Sequence, residues 1–252
     1  MGNFPARKIL KAVIPLAFWL GVWQLAAFFV GESLLLPSPA ATLHRFFQLV
    51  GTPRFWQIVT LSLLRIFGGF LAGAGLGAVL GGLTTASRWA DALLSPAIRV
   101  MRAIPVASFI LLLQLWVFKN GIPGLCAALM VLPVVWQNVS RGLRETDPLL
   151  LEAARAYRFG PWKRVGLVYL PSALPYFASA CASGLGLAWK AGVAAEVLCR
   201  PSLAIGEEIF SSKFYFETPS LFAWTAVVIF LSLLLENVLS LGFRRLERGR
   251  RT

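Results

Sequence analysis

Charge is scarce in this 252-residue chain, and acidic charge scarcest of all. There are 11 Asp and Glu against 24 Lys and Arg; charged residues make up 14% of the sequence and apolar ones 58%. A soluble domain averages about 25% charged residues and roughly 45–50% apolar ones, so this composition excludes an ordinary soluble protein. Cysteine is almost absent. Cys126, Cys181 and Cys199 form no spaced pair, which leaves neither a disulfide framework nor a zinc site. His44 is the only histidine and has no acidic or cysteine neighbours with which to build a metal or catalytic centre. No Gly-x4-Gly-Lys-Ser/Thr phosphate loop is present. The chain therefore cannot hydrolyse ATP by that route, and any dependence on ATP must come from a partner. No nucleophile–base pair stands out either, so the chain is not expected to be an enzyme.

What the chain has in plenty is uncharged length. A bilayer span needs about 20 mostly apolar residues. Residues 12–30, 66–86, 121–140 and 165–189 are uncharged and long enough, and 218–235 is only slightly short. A sixth span, 92–118, requires Arg99 and Arg102 to lie near a helix end. The expectation is an all-α integral membrane protein, a single domain of about six spans. The first apolar run follows Arg7, Lys8 and Lys11, as a secretory signal would. It is longer than the usual ~7–15-residue signal core and lacks a clear small-x-small cleavage site, so it reads as an uncleaved first helix.

The cations sort by side. With the N-terminus inside, the cytoplasmic loops carry Arg7, Lys8, Lys11, Arg88, Arg99, Arg141, Arg144, Arg155, Arg158, Lys163, Arg164 and the arginines of 244–251. The outer side carries far fewer: Arg45, Arg54, Lys119, Lys190, Arg200 and Lys213. This bias predicts both termini in the cytoplasm. It also explains the formal charge of +13 without nucleic acid, because the cations cluster at loop ends beside the spans. The same patches can meet anionic membrane lipid.

Small residues and prolines suggest how the spans pack. Gly69, Gly73, Gly77 and Gly81 recur every four residues and share one helix face, which lets another helix approach backbone to backbone. Ala178, Ala182 and Gly186 give the fifth span a similar face, with Ala180, Gly184 and Ala188 beside it. Either these faces serve ordinary packing, or the two helices border a translocation path. Pro15, Pro105, Pro123, Pro133, Pro171 and Pro175 fall inside spans, where a freed carbonyl and a kink are expected. Outside the spans, 40–50 reads as an amphipathic surface helix, and 190–217 as an external segment with a short re-entrant or surface helix.

The stretch 145–171 is polar and cation-rich between two apolar runs. Asp147-Pro148 is a helix start: aspartate caps free amides, and proline at the first position loses no hydrogen bond. The helix should run to Tyr157 or Phe159 and stop at Gly160-Pro161, with a second short helix from Trp162 to Tyr169. Leu150, Ala153, Ala154 and Tyr157 are spaced to form one apolar face. A compact helix–turn–helix with Arg155, Arg158, Lys163 and Arg164 suits either an acidic partner or the membrane surface.

The segment Glu152-Ala153-Ala154, with Val168, Leu170 and Pro171 at the expected distance, resembles the cytoplasmic signature of ABC-importer permeases: Glu-Ala-Ala, three residues, Gly, nine residues, Ile-x-Leu-Pro. Arg158 stands where that pattern has glycine, and Gly160 follows two residues later. Leu36-Pro37-Ser38-Pro39, Arg102-Ala103-Ile104-Pro105, Arg141-Gly142-Leu143-Arg144 and Leu187-Ala188-Trp189-Lys190 resemble the nitrate/sulfonate/taurine branch. The resemblance implies a permease subunit in a prokaryotic plasma (inner) membrane, paired as a homodimer or pseudo-symmetric pair. It implies ATP-binding-cassette ATPase subunits docked on Glu152, Ala153, Ala154, Tyr157, Arg158, Gly160 and Pro161. An extracytoplasmic substrate-binding protein would deliver cargo, no cofactor would be bound by this chain, and ATP would be hydrolysed by the partner. Lys190 and Glu196 would border the external mouth, or else merely anchor the interface. The rival reading is a secondary transporter driven by an ion gradient, which would call for ionisable residues deep in the spans and internal repeats.

Overall fold

The structure, a computed structural model, describes residues 4–248 and the side chains of 13–242. The cations at 7, 8, 11 and 244–248 therefore enter only as backbone, and Arg250 and Arg251 lie outside the described residues. Those residues form eleven α-helices and no strand. Five helices are long and apolar enough to cross a membrane, or six if one bent pair is counted as a single span.

Helix α1 (Phe4–Val30) touches the rest of the described chain chiefly through Trp23. Its indole N–H donates to the Pro37 carbonyl at 3.1 Å, and its ring stacks on Phe222. Helix α2 (Pro39–Val50) starts where Ser38 accepts the Ala41 amide and Pro39 takes the first position. Helix α3 (Pro53–Ala86) repeats the device with Thr52 and Pro53. It begins well before residue 66, the start expected from uncharged length. Arg65 does not end the helix; its guanidinium reaches out to the Ser202 and Leu203 carbonyls at 3.0 and 3.2 Å.

The sixth expected span, 92–118, is not one helix. Helix α4 (Arg88–Ala103) and helix α5 (Val106–Leu113) meet at an angle of 105°. Pro105 forces the residue before it away from helical backbone, and Ile104 is extended at φ −75°, ψ 126°.

Helix α6 (Ile122–Arg144) lies between α3 and helix α9 (Leu170–Cys199) and is the most enclosed element, with Cys126, Ala127, Val131 and Val135 fully buried. The glycine stripe explains the first contact. A Cβ on Gly69 would stand 1.9 Å from the Gly124 carbonyl oxygen, one on Gly73 2.3 Å from that of Ala128, and one on Gly77 2.6 Å from that of Leu132. On Gly81 it would meet the Val139 Cβ at 3.0 Å. Gly184 of α9 faces the Val131 side chain of α6 at ordinary contact distance, and a Cβ on Gly186 would meet the Glu236 carboxyl at 2.7 Å. The glycine stripe of α3 thus packs on α6, whereas the small residues of α9 meet both α6 and Glu236. A cluster at the Thr84 end of α3 adds polar ties: the Trp136 indole donates to Thr84 Oγ1 at 2.9 Å, and the Ser140 hydroxyl to the Gly81 carbonyl at 3.3 Å.

Helix α7 (Pro148–Ala156) follows α6. Helix α8 (Pro161–Arg164) then passes through a π-helical turn (Val165–Tyr169) straight into α9. The second short helix expected over 162–169 is therefore the first part of the fifth span. Pro171 lacks the amide that would bond four residues back, and a widened turn absorbs the mismatch. Ser172 compensates by donating its hydroxyl to the Val168 carbonyl at 2.8 Å. At its far end α9 runs to Cys199, ten residues beyond the expected end. The surface helix expected somewhere in 190–217 is α10 (Ile205–Phe214), and α11 (Thr218–Arg248) is the last helix of the described residues.

Candidate functional site

Asp147 Oδ1 accepts the Leu149 amide at 2.8 Å, and Pro148 opens α7, so the helix starts as the residue types require. Its inward face is narrower than the spacing suggested. Ala154 is 1% exposed and Leu151 half-buried, while Ala153 and Leu150 face outward. Leu149, Tyr157 and Trp162 stand 71%, 78% and 87% exposed. Glu152, Arg155 and Arg158 share that outer surface. Large apolar and charged side chains are thus exposed together on this segment.

The turn after α7 is made by Arg158. Its φ is +52°, the left-handed region. The Phe159 amide bonds the Ala154 carbonyl at 2.8 Å, and the Arg158 amide the Arg155 carbonyl at 2.9 Å. This paired pattern closes a helix around one left-handed residue, a position normally held by glycine. It is the position at which the permease pattern has glycine, so the turn keeps its geometry despite the substitution. Gly160, the expected stop, has an extended backbone (φ −63°, ψ 163°) and only leads into Pro161. A left-handed non-glycine residue is strained by about 1–2 kcal/mol. Arg158→Gly is therefore expected to stabilise the protein by about 1 kcal/mol, and Arg158→Ala is not. Melting temperatures of the two variants in detergent would check this.

The base of the loop is tied to α9. The Tyr176 hydroxyl donates to Glu145 Oε2 at 2.5 Å, and Arg141 Nε donates to Glu145 Oε1 at 2.7 Å. A Cβ on Gly142 would sit 2.6 Å from the Tyr176 ring, so glycine is needed for this approach. The Tyr176 hydroxyl first, and Arg141 second, hold the Glu145 carboxyl below its ordinary range. The sign follows: the contribution is fully present above the ordinary carboxylate pKa and is lost only as pH falls through the depressed one. Tyr176→Phe should move the Glu145 titration back up towards the ordinary range, as carboxylate-resolved NMR or infrared spectroscopy would record. Beside this base, Asp91, Ser95, Arg99, Gln137, Arg141 and Arg144 line a polar cavity of about 390 Å³ between α4 and α6. Asp91 and Arg144 face each other there at 3.7 Å.

Lys190 and Glu196, read as residues of an external mouth or as interfacial anchors, were expected at and beyond the end of the fifth span. Both lie inside α9. Lys190 is exposed, whereas Glu196 is fully buried and turned into the protein. The boundary differs because Lys190 ends an uncharged run, and such a run need not end where its helix does. Spacing also missed Glu145, Gly142 and Tyr176. Tyr176 lies in an apolar run with nothing to mark its partner, thirty-one residues away.

Residues 69–252 match the family described as binding-protein-dependent transport system inner membrane component. The chain belongs to this family. It is the permease subunit of an ABC transport system, a multi-pass all-α membrane protein. Among its relatives, the transport permease protein SsuC of Escherichia coli (strain K12) is 31% identical over 250 residues, covering 97% of this chain and 93% of that protein. The riboflavin transport system permease protein RibX of Chloroflexus aurantiacus is 29% identical over 238 residues, covering 93% and 88%. The fold is shared with a chain of a solved amino acid ABC transporter. The TM-score is 0.64 at 21% identity, and the match covers 79% of this permease and 98% of that chain.

Proposed function

We propose that α7 and the turn to α8 form the docking element for an ATP-binding-cassette ATPase subunit, on the cytoplasmic side together with both termini. One observation carries this reading. The exposed Leu149, Tyr157 and Trp162, with Glu152 and Arg155, stand on a capped helix whose base is held to α9 through Glu145 and Tyr176. A push on α7 is delivered to a spanning helix through that contact and through the continuous α8–α9 backbone. This chain binds no cofactor; ATP is bound and hydrolysed by the partner. Two permease subunits, identical or pseudo-symmetric, enclose the translocation path in the inner membrane. A binding protein supplies cargo from outside.

Co-purification tests the docking. A tagged wild-type chain, co-expressed with its ATPase subunit, should retain it through detergent extraction. The pair Leu149→Asp and Tyr157→Asp should lower the retained amount by about tenfold or more, the scale of losing an interface anchor, with the permease itself at normal level. Equal retention by the double variant would place the ATPase contact elsewhere.

A further inference from the structure

Helix α10 has no cap of its own. Ala204 holds the N-cap position, where it offers no side-chain acceptor, yet the first amides are satisfied from elsewhere. The Ile205 amide donates to Ser62 Oγ at 3.0 Å, and the Gly206 amide donates to Glu196 Oε2 at 3.1 Å. The Ser62 hydroxyl in turn donates to the same Glu196 oxygen at 3.0 Å. Two long helices, α3 and α9, thus lend a serine and a carboxylate to cap a third, and both side chains are fully buried. The carboxylate also faces the positive end of the α10 dipole. One turn along α3, Arg65 grips the Ser202 and Leu203 carbonyls just before α10, and Leu203 is held in left-handed backbone at φ +51°.

Two glycines make this approach possible. A Cβ on Gly206 would stand 2.4 Å from both the Glu196 Cβ and the Val197 amide nitrogen, and one on Gly192 2.6 Å from the Ile66 side chain. The second carboxyl oxygen, Glu196 Oε1, is buried with no hydrogen-bond partner. A half-satisfied carboxyl in the interior is costly, and apolar packing would hold the helices together without it. Stability alone therefore gives no reason for glutamate here, whereas a fixed attachment of α10 does.

We propose that Glu196 is a positioning residue that locks the external helix α10 to α3 and α9, so that contact made on α10 from outside reaches the spanning helices through one junction. The transmission half of this inference rests on the importer reading above; the lock itself does not. Nitroxide pairs at Lys190→Cys on α9 and Lys213→Cys on α10 report the lock, and the three native cysteines are buried and do not compete for label. The wild-type background should give one narrow distance distribution. Glu196→Ala should broaden it, and Glu196→Gln, which keeps an acceptor at Oε2, should leave it narrow. In the complex with its ATPase, Glu196→Ala should cut stimulation by the binding protein about fivefold or more, the lower end of coupling between distant sites. Basal hydrolysis should stay unchanged. If Glu196→Ala does not accumulate, Ser62→Ala should give the same pattern at smaller amplitude. A narrow distribution in the alanine variant overturns the lock, and a broad one with full stimulation overturns the transmission. Failure of the importer reading looks different: the wild-type chain would retain no ATPase, and the label distances would still judge the lock.

Discussion

Gly73→Leu is expected to abolish accumulation of folded protein in the membrane. The first atom of any side chain at Gly73 meets the Ala128 carbonyl oxygen at 2.3 Å, far inside contact distance, and the obstacle is backbone rather than a movable side chain. Overpacking a core costs about 1–3 kcal/mol and sometimes more. Here relief requires α3 and α6 to separate along a stripe that includes Gly69 and Gly77. Gly73→Ala should already destabilise within that range. Gly75, on the same helix, has open space around its Cβ position and supplies the control. Gly75→Ala should be neutral or gain about 0.5–1 kcal/mol from helix propensity. Membrane levels and melting temperatures of the two alanine variants should diverge. If they coincide, the backbone-to-backbone contact is wrong.

Glu152→Lys is expected to remove most ATP-dependent transport while leaving the protein folded. Glu152 is exposed on α7 and forms no ion pair among the described residues, so its loss removes no internal contact. The docking reading pairs Glu152 with a cationic group of the partner, so reversing its charge puts like charges where opposite ones should meet. A drop of about tenfold or more in coupled hydrolysis is expected from such a juxtaposition. Unchanged uptake at unchanged membrane level would detach Glu152 from the coupling role.

Local chemistry was legible wherever a residue type acts on its own neighbours. Asp147-Pro148 named the start of α7, and the four-residue glycine spacing marked a close-packed face. Partners were not legible, because nothing in a glycine stripe says which helix fills it. The stripe proved to meet α6, whose Gly124 and Ala128 lie more than fifty residues on. At Pro105 a kink was legible but a 105° break was not, because the apolar run continues through it. Arg158 was legible as a departure from the permease pattern, but only its φ of +52° explains how the turn survives. Glu196 was misplaced for the opposite reason. Its charge suggested solvent, whereas Ser62 and the uncapped amides of α10, supplied from elsewhere in the fold, let it be buried.

The central claim is that this permease works through a partner's ATP hydrolysis, coupled through α7, and not through an ion gradient. Uptake into sealed vesicles carrying the permease, its ATPase subunit and its binding protein tests this most directly. ATP is supplied on the α7 side, and ionophores collapse all ion gradients. Uptake should persist with ATP, stop when a non-hydrolysable analogue replaces it, and stop in the Glu152→Lys variant. Uptake that follows an imposed ion gradient and ignores ATP would contradict the account.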